Sequence, residues 1–311
     1  LDDSIAPFRE LTSGAVDTLL RVSMRRSERW RKMKYDLKKN DEEIEESFYI
    51  PKEMTVFSWA GEIDTTMTPL DSMKYYKSFF RPGMMSMDPT NGYIKAWVGG
   101  MNYRHFQYDM VKKGKRQIGS TFKPFVYAAA IDQLKLSPCD TFPDSQFCIE
   151  KNKFGNVEQW CPKNSGDKYG RTRTLKNALA NSVNTITARL MDRIGPRTVV
   201  KLAKDLGIEQ RILPVPSIAL GTPDLSVYEM VAAYSTFANK GVYTQPVFIE
   251  RIDDKNGTTL YKNQPVTRDV LSEEAAYVTV NLLEGVTRAG SGTRLRTTCL
   301  LYTSPSPRDN R

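Results

Sequence analysis

Apolar residues recur at mixed steps of three and four through residues 8–39, at Leu11, Val16, Leu19, Leu20, Met24, Trp30, Met33 and Leu37, among Arg, Lys and Glu. That spacing lines one face of a helix and predicts a long amphipathic one. The acidic run 40–46 follows and is expected to be a linker. Residues 54–59, Met-Thr-Val-Phe-Ser-Trp, alternate as a short strand does. Thr68-Pro69-Leu70-Asp71 opens a helix over 72–80, which Arg81-Pro82-Gly83 breaks. Next comes a hairpin, with strands at 84–87 and 93–98 around the turn Asp88-Pro89-Thr90-Asn91-Gly92. Helices are expected over 120–134, 174–180, 183–194, 196–206, 225–239 and 272–284, Gly241 stopping the fifth. A second hairpin, 247–252 against 258–262, turns at Lys255-Asn256-Gly257. The order of strand pair, helices, strand pair and helix predicts an α/β or α+β architecture with an antiparallel sheet rather than βαβ repeats. From Cys299 to Arg311 no period survives, and this stretch is expected to be a disordered, artefactual tail resembling translated adaptor sequence.

Composition adds scale. With 311 residues, 40% apolar and 26% charged, the chain is of globular type and long enough for two domains. The break at 81–83 is the expected boundary, giving domains at 1–82 and 83–298. No apolar run reaches the ~18 residues that cross a bilayer. Leu1-Asp2-Asp3 has neither an initiating Met nor a basic, apolar leader, so any targeting or anchoring segment is expected upstream of the given chain. The net charge of +9 is less telling than it looks. Residues 21–40 carry nine basic and two acidic residues, residues 41–64 carry eight acidic and one basic, and such opposed blocks nearly cancel. The remaining excess lies in 112–116 and 163–176 without an aromatic nucleic-acid motif beside it, which argues against nucleic-acid binding.

Candidate chemistry narrows by elimination. His105 is the one histidine of the chain; in its polar, aromatic stretch it reads as a solvated loop residue, so histidine-based triads and most zinc sites lose support. No G-x-S-x-G, P-loop, H-E-x-x-H or G-x-G-x-x-G is present, and no cofactor or metal is expected. Cys148 and Cys161 flank a polar excursion that a disulfide would close, implying an oxidising compartment. Cys139 reads as an isolated buried thiol, though spacing alone settles no pairing.

The nucleophile arrangement that survives is Ser120-Thr121-Phe122-Lys123, opening a helix whose body, Phe125 to Ile131, is almost wholly apolar. Positions i and i+3 share a helix face, so Lys123 is placed to reach back to the Ser120 hydroxyl. Burial would lower its pKa toward that of a base, and helix-start amides point to where an oxyanion would form. The residues equally allow Ser120 as an N-cap and Lys123 as a snorkelling side chain. A second Ser-x-x-Lys, Ser165 to Lys168, lies in a Gly-, Asn- and Asp-rich loop and reads as a turn. Asn181-Ser182-Val183-Asn184, between two short helices, offers a hydroxyl and an amide to relay a proton and hold a substrate amide, or alternatively an N-cap with a turn asparagine.

In order and spacing, Ser120, Lys123, Ser182 and Asn184 resemble the S-x-x-K and S-x-N motifs of the transpeptidase domain of class A penicillin-binding proteins, a family whose motif set is well described. The resemblance extends over most of 80–296. Residues 87–100, Met-Asp-Pro-Thr-Asn-Gly-Tyr-Ile-Lys-Ala-Trp-Val-Gly-Gly, are similar to its first hairpin, and 116–125 to its nucleophile segment. Residues 219–222 with 229–241 resemble the stretch ahead of its last active-site strand, and residues 1–80 the segment joining its glycosyltransferase and transpeptidase domains. One departure stands out: the K-T-G strand expected soon after Gly292-Thr293-Arg294-Leu295-Arg296 is missing, and Lys255-Asn256-Gly257 is a hairpin turn instead. The resemblance implies a serine β-lactamase-like fold, an antiparallel sheet covered by helices and incomplete at its C-terminal end, in a chain expected to be nearly inert alone. It implies peptidoglycan cross-linking: Ser120 attacks the penultimate D-Ala of a stem peptide, Lys123 is the base, Ser182 and Asn184 assist, and β-lactams inhibit. Its implied setting is the outer face of the bacterial inner membrane, in a membrane-anchored parent working with other wall-synthesis proteins. The alternatives are a D-Ala carboxypeptidase, β-lactamase or penicillin sensor of the same fold, or a catalytically dead scaffold.

Overall fold

The computed structural model describes Phe8 and residues 11–297; the expected tail at 299–311 lies outside the described residues. The chain divides into two compact units, residues 1–82 with 100–107, and residues 83–99 with 108–311.

In the first unit the expected 8–39 helix is broken. Helix α1 (Ser13–Arg26) stops at Ser27, whose hydroxyl accepts from the Trp30 amide at 3.1 Å and so caps a new short helix, α2 (Glu28–Arg31). A wider turn, Lys32–Asp36, continues it. A Ser side chain competes well for free helix amides, and here that local bond outweighs the apolar period running through it. The run expected as a linker is also helical: Asn40 caps α3 (Asp41–Glu46), whose first-turn carboxylates suit a helix N-terminus. Its Ile44 buries with Met24, Trp30 and Phe48 in a small core. Strand β1 (Lys52–Ser58) pairs antiparallel with β2 (Gly61–Met67), from Lys52 opposite Met67 to Ser58 opposite Gly61. Thr68 caps α4 (Pro69–Ser78), with Pro69 in the first turn where a missing amide is harmless. His105 is not the solvated loop residue expected. It is half-buried, its ring nitrogens 3.1 Å from the Tyr76 hydroxyl and 2.8 Å from Glu62, and beside it Phe106 packs edge-on against Phe57, Tyr76 and Phe79.

The second unit opens with the expected hairpin, β3 (Met84–Met87) antiparallel to β4 (Ile94–Val98), with a bulge at Ser86/Met87 and Gly92 at φ +77° in the turn. Strand β5 (Lys115–Gln117) leads through a tight turn, Gly119–Phe122, into α5 (Lys123–Leu134), which is buried from Lys123 to Ile131. This helix is the axis of the main core, which also draws Leu175, Ile186, Leu190, Val199, Phe237 and Leu282. Around it stand β6 (Thr141–Pro143) paired with β7 (Thr172–Thr174), then α6 (Leu175–Ala180), α7 (Asn184–Ile194) and α8 (Pro196–Asp205). Strand β8 (Asp224–Ser226) pairs back onto β5, and its Ser226 forms a capping box with Glu229 at the start of α9 (Val227–Ala238). Beyond it come β9 (Val242–Thr244), the hairpin β10 (Arg251–Asp253) and β11 (Thr259–Lys262), β12 (Thr267–Asp269) antiparallel to β9, then α10 (Glu273–Ala289), capped by Ser272, and α11 (Arg294–Thr297). Among the described residues the strands form two-stranded antiparallel ladders between helices, a mixed α and β architecture. No helix of the described residues is long and apolar enough to cross a membrane.

Candidate active site

The turn that carries Ser120 is pinned from behind. Ile118 donates to the Pro223 carbonyl at 3.2 Å and Gly119 to that of Gly221 at 2.9 Å, extending the β5–β8 ladder to the edge of the site. The approach at Gly221 is so close that a Cβ there would lie 1.8 Å from the Gly119 oxygen, and Gly221 also sits at φ +74°. Only glycine fits on both counts. Thr121 is tied at both ends, its hydroxyl donating to Ile118 O at 2.6 Å and its carbonyl accepting from the Tyr234 hydroxyl at 2.7 Å. Ser120 itself is exposed, within a 3-10 turn. It is not the N-cap of α5: that position belongs to Phe122 and carries no side-chain cap.

Lys123 is the first residue of α5 and is 1% exposed. A snorkelling lysine would keep its ammonium in water. This one donates to the Ser182 carbonyl at 2.6 Å, the Ser182 hydroxyl at 2.9 Å and Asn184 Oδ1 at 2.5 Å. The expected reach back to the Ser120 hydroxyl is not made; the three donors of the ammonium are spent on the 182–184 turn. Burial lowers the pKa of Lys123 to about 8, while its three oxygen acceptors work in the opposite direction by favouring the charged form. No carboxylate among the described residues forms an ion pair with it. The result is an amine that begins to lose its proton near pH 8, one residue past the tight turn that carries the exposed Ser120 hydroxyl.

Ser182 and Asn184 are likewise not the capping pair that the residues alone allowed. Ser182 sits between α6 and α7 at φ +55°, a left-handed conformation uncommon for a residue with a Cβ. That backbone turns both its carbonyl and its hydroxyl toward Lys123. The N-cap of α7 is Val183, without a side-chain cap; the amides of Asn184 and Thr185 instead donate to Asn164 Oδ1 at 3.0 and 3.2 Å. Asn184 is held at both ends, its Nδ2 donating to the Lys163 carbonyl at 2.7 Å while its Oδ1 faces the ammonium. Lys123, Ser182 and Asn184 thus meet in direct contact from two segments some 60 residues apart, with Ser120 three residues before Lys123 on the first.

Ser165 lies in an exposed turn, Ser165–Asp167, and takes no part. Cys148 and Cys161 are joined, S–S 2.07 Å, with Ile149 and Trp160 exchanging backbone bonds inside the loop. Cys139 is free and exposed rather than buried, in the polar turn between α5 and β6. Sequence reasoning missed Asp144 and Asn164, isolated polar residues in segments that read as loop. A cavity of about 570 Å³ lined by Arg211, Tyr228, Tyr243 and Arg268 includes none of the four site residues.

Residues 82–302 match the penicillin binding protein transpeptidase domain, and residues 3–80 the penicillin-binding protein middle domain. Penicillin-binding protein 1A of Aquifex aeolicus is 35% identical over 213 residues, 68% of this chain and 28% of that protein. Penicillin-binding protein 2D of Bacillus subtilis is 35% identical over 205 residues, 66% of this chain and 29% of that protein. The chain therefore spans less than a third of the length of these curated relatives. The crystal structure of penicillin-binding protein 1A from Haemophilus influenzae superposes with a TM-score of 0.64 at 26% identity, over 70% of this chain and 37% of that one. With the domain match running across well over half of its length, and the fold agreeing with it, the chain belongs to the penicillin-binding protein transpeptidase family.

Proposed function

We propose that this chain is the linker region (1–82) and much of the transpeptidase domain (83–298) of a peptidoglycan D,D-transpeptidase that works through a serine acyl-enzyme. One observation carries the reading: an exposed serine lies in the turn that leads into a buried lysine, and that lysine has no carboxylate partner among the described residues and is held by a hydroxyl and an amide oxygen. Ser120 Oγ attacks the carbonyl of the penultimate D-Ala, its proton passing to neutral Lys123 directly or through the Ser182 hydroxyl. Collapse of the tetrahedral adduct breaks the peptide bond, the Lys123 ammonium returns the proton to the departing nitrogen, the terminal D-Ala leaves as the free amine, and Ser120 is left as an ester. An amine on a neighbouring stem peptide then attacks that ester, freeing Ser120 and forming the cross-link. Asn184 is placed to bind a substrate amide once the ammonium has given up its proton. The substrates are peptidoglycan stem peptides ending in D-Ala-D-Ala, and β-lactams trap Ser120 because their ring opens to the same kind of ester. The Cys148–Cys161 disulfide favours an oxidising, extracytoplasmic setting, in a parent protein anchored to the membrane.

A fluorescent penicillin, applied to the protein with its complete transpeptidase domain, tests this. Ser120→Ala is expected to abolish covalent labelling and Ser165→Ala to leave it unchanged. Peptide mass spectrometry placing the adduct on any residue but Ser120 would overturn the assignment.

A further inference from the structure

Behind the site lies a fully buried carboxylate that the mechanism does not use. Asp144 has no exposed surface, and its two oxygens receive four donors. Oδ1 accepts from Asn164 Nδ2 at 2.7 Å and from the Thr185 hydroxyl at 2.9 Å; Oδ2 accepts from Arg173 Nε at 2.7 Å and from the Gly170 amide at 3.0 Å. Burial alone would raise its pKa, but the bonds from Arg173, Asn164, Thr185 and Gly170 outweigh it and hold the carboxyl below its ordinary range.

From this carboxylate a chain of bonds runs to Lys123. Asn164, fixed through its Nδ2 by Asp144, uses its Oδ1 to bind the amides of Asn184 and Thr185, two of the donors that the start of a helix leaves without partners. The residue before it, Lys163, supplies the carbonyl that takes Asn184 Nδ2. With both ends of its amide held, Asn184 presents its Oδ1 to the ammonium, the only orientation that a donor-only ammonium can use. The segment around Asp144 is fastened to α7 as well: Arg193 lies over Phe142 at 4.6 Å, Arg189 over Phe147 at 4.4 Å, and Arg189 donates to the Ser145 hydroxyl at 2.9 Å. The disulfide, four residues after Asp144 and three before Asn164, clasps the two arms together.

We propose that Asp144 and Asn164 are positioning residues for Lys123, fixing the 182–184 turn whose oxygens hold its ammonium. The inference rests on the acyl-transfer reading for its consequence in the reaction, and on the bond chain alone for its existence. Neither residue touches the ammonium or the reacting atoms. Their effect passes through the start of α7, where a displacement of a fraction of an ångström would move Asn184 Oδ1 and Ser182 together. The charged groups facing Asp144 are Arg173 and Arg189, and the Lys163–Asp167 pair lies at the exposed rim. Taking the negative charge from Asp144 leaves Arg173 without its carboxylate, and the added positive potential disfavours a charged Lys123.

The experiment uses the protein with its complete transpeptidase domain and two readouts. Lysine side-chain NMR, with the Lys123 resonance assigned through Lys123→Gln, gives the ammonium's titration midpoint without any need for activity. Asp144→Asn is expected to move that midpoint down by roughly half a unit or more. Fluorescent penicillin gives the acylation rate, and Asn164→Ala is expected to lower the acylation step by about 10- to 100-fold while the preceding non-covalent affinity stays the same. Should Asp144→Asn not fold, Thr185→Val keeps the charge, removes one of its donors and is expected to slow acylation in the same direction by less. Variants that lower the melting temperature yet keep the wild-type midpoint and acylation rate would show a structural staple and overturn the proposal. Labelling that survives Ser120→Ala would instead sink the acyl-transfer reading, with the NMR midpoint still deciding whether Asp144 positions Lys123.

Discussion

A lysine kept out of water makes stability depend on pH in a direction that can be worked out. The folded-state pKa of Lys123, about 8, lies below the ordinary value of 10.5. Between those values the unfolded chain binds more protons than the folded one, so stability rises with pH across that window and is lowest below it. A shift of this size corresponds to roughly 3 kcal/mol. Chemical denaturation of the wild type and of Lys123→Met at pH 7.5 and pH 10 is expected to show the wild type gaining on the variant by up to that amount. Parallel stability curves would mean that the ammonium is solvated in the folded chain. Of the four candidate side chains, all were legible as residues, because Ser-x-x-Lys and Ser-x-Asn are short patterns. Their mutual geometry was not: periodicity put Lys123 against Ser120, whereas its bonds go to a turn 59 and 61 residues further on. Asp144 and Asn164 carry no pattern, since a buried carboxylate is recognisable only once the four donors around it have been brought together by the fold.

At the scale of elements, what could be read were those whose ends are written locally. The 84–98 hairpin follows from Asn91-Gly92, and α9 and α10 begin at serines that do cap them. Errors fell where a local bond competed with an apolar period, as at Ser27, or where a charged run gained its ordering from tertiary burial, as for Ile44 in α3. The short ladders β5–β8 and β6–β7, three residues a strand, escaped notice because such strands have no period to show and exist through their partners. One of these ladders makes a sharp expectation. Gly221→Ala puts a methyl group into the Gly119 carbonyl and a Cβ onto a left-handed backbone, so the turn under Ser120 must shift. A loss of more than about 2 kcal/mol in urea denaturation is expected, with a large fall in penicillin labelling. A Gly241→Ala comparison, also at positive φ and against the Leu271 carbonyl, is expected to destabilise while sparing the labelling of whatever folds. If both variants label alike at equal folded fraction, the turn at Gly119 does not set the position of Ser120.

For the whole molecule, the informative feature is that the chain passes three times between its units, at 82/83, 99/100 and 107/108. Residues 100–107 leave the second unit to lay Phe106 among Phe57, Tyr76 and Phe79 and to tie His105 and Arg104 to Glu62. A chain of residues 83–311 would keep this excursion but lose the aromatic groups and the carboxylate that receive it. Limited trypsin digestion is expected to cut that shorter chain at Arg104 at least ten times faster than the intact one, cleavage following the population of the open segment. Equal rates would mean that the excursion is already open in the full chain. The same threefold passage bears on how such proteins can exchange parts. A recombination event with a single crossover at residue 82 would pair one protein's aromatic nest with another's inserted 100–107 segment, so a viable chimera must carry 100–107 along with the segment that houses it. The gene's natural seam is therefore not one cut but a pair of inherited fragments, separated by the seventeen codons of 83–99.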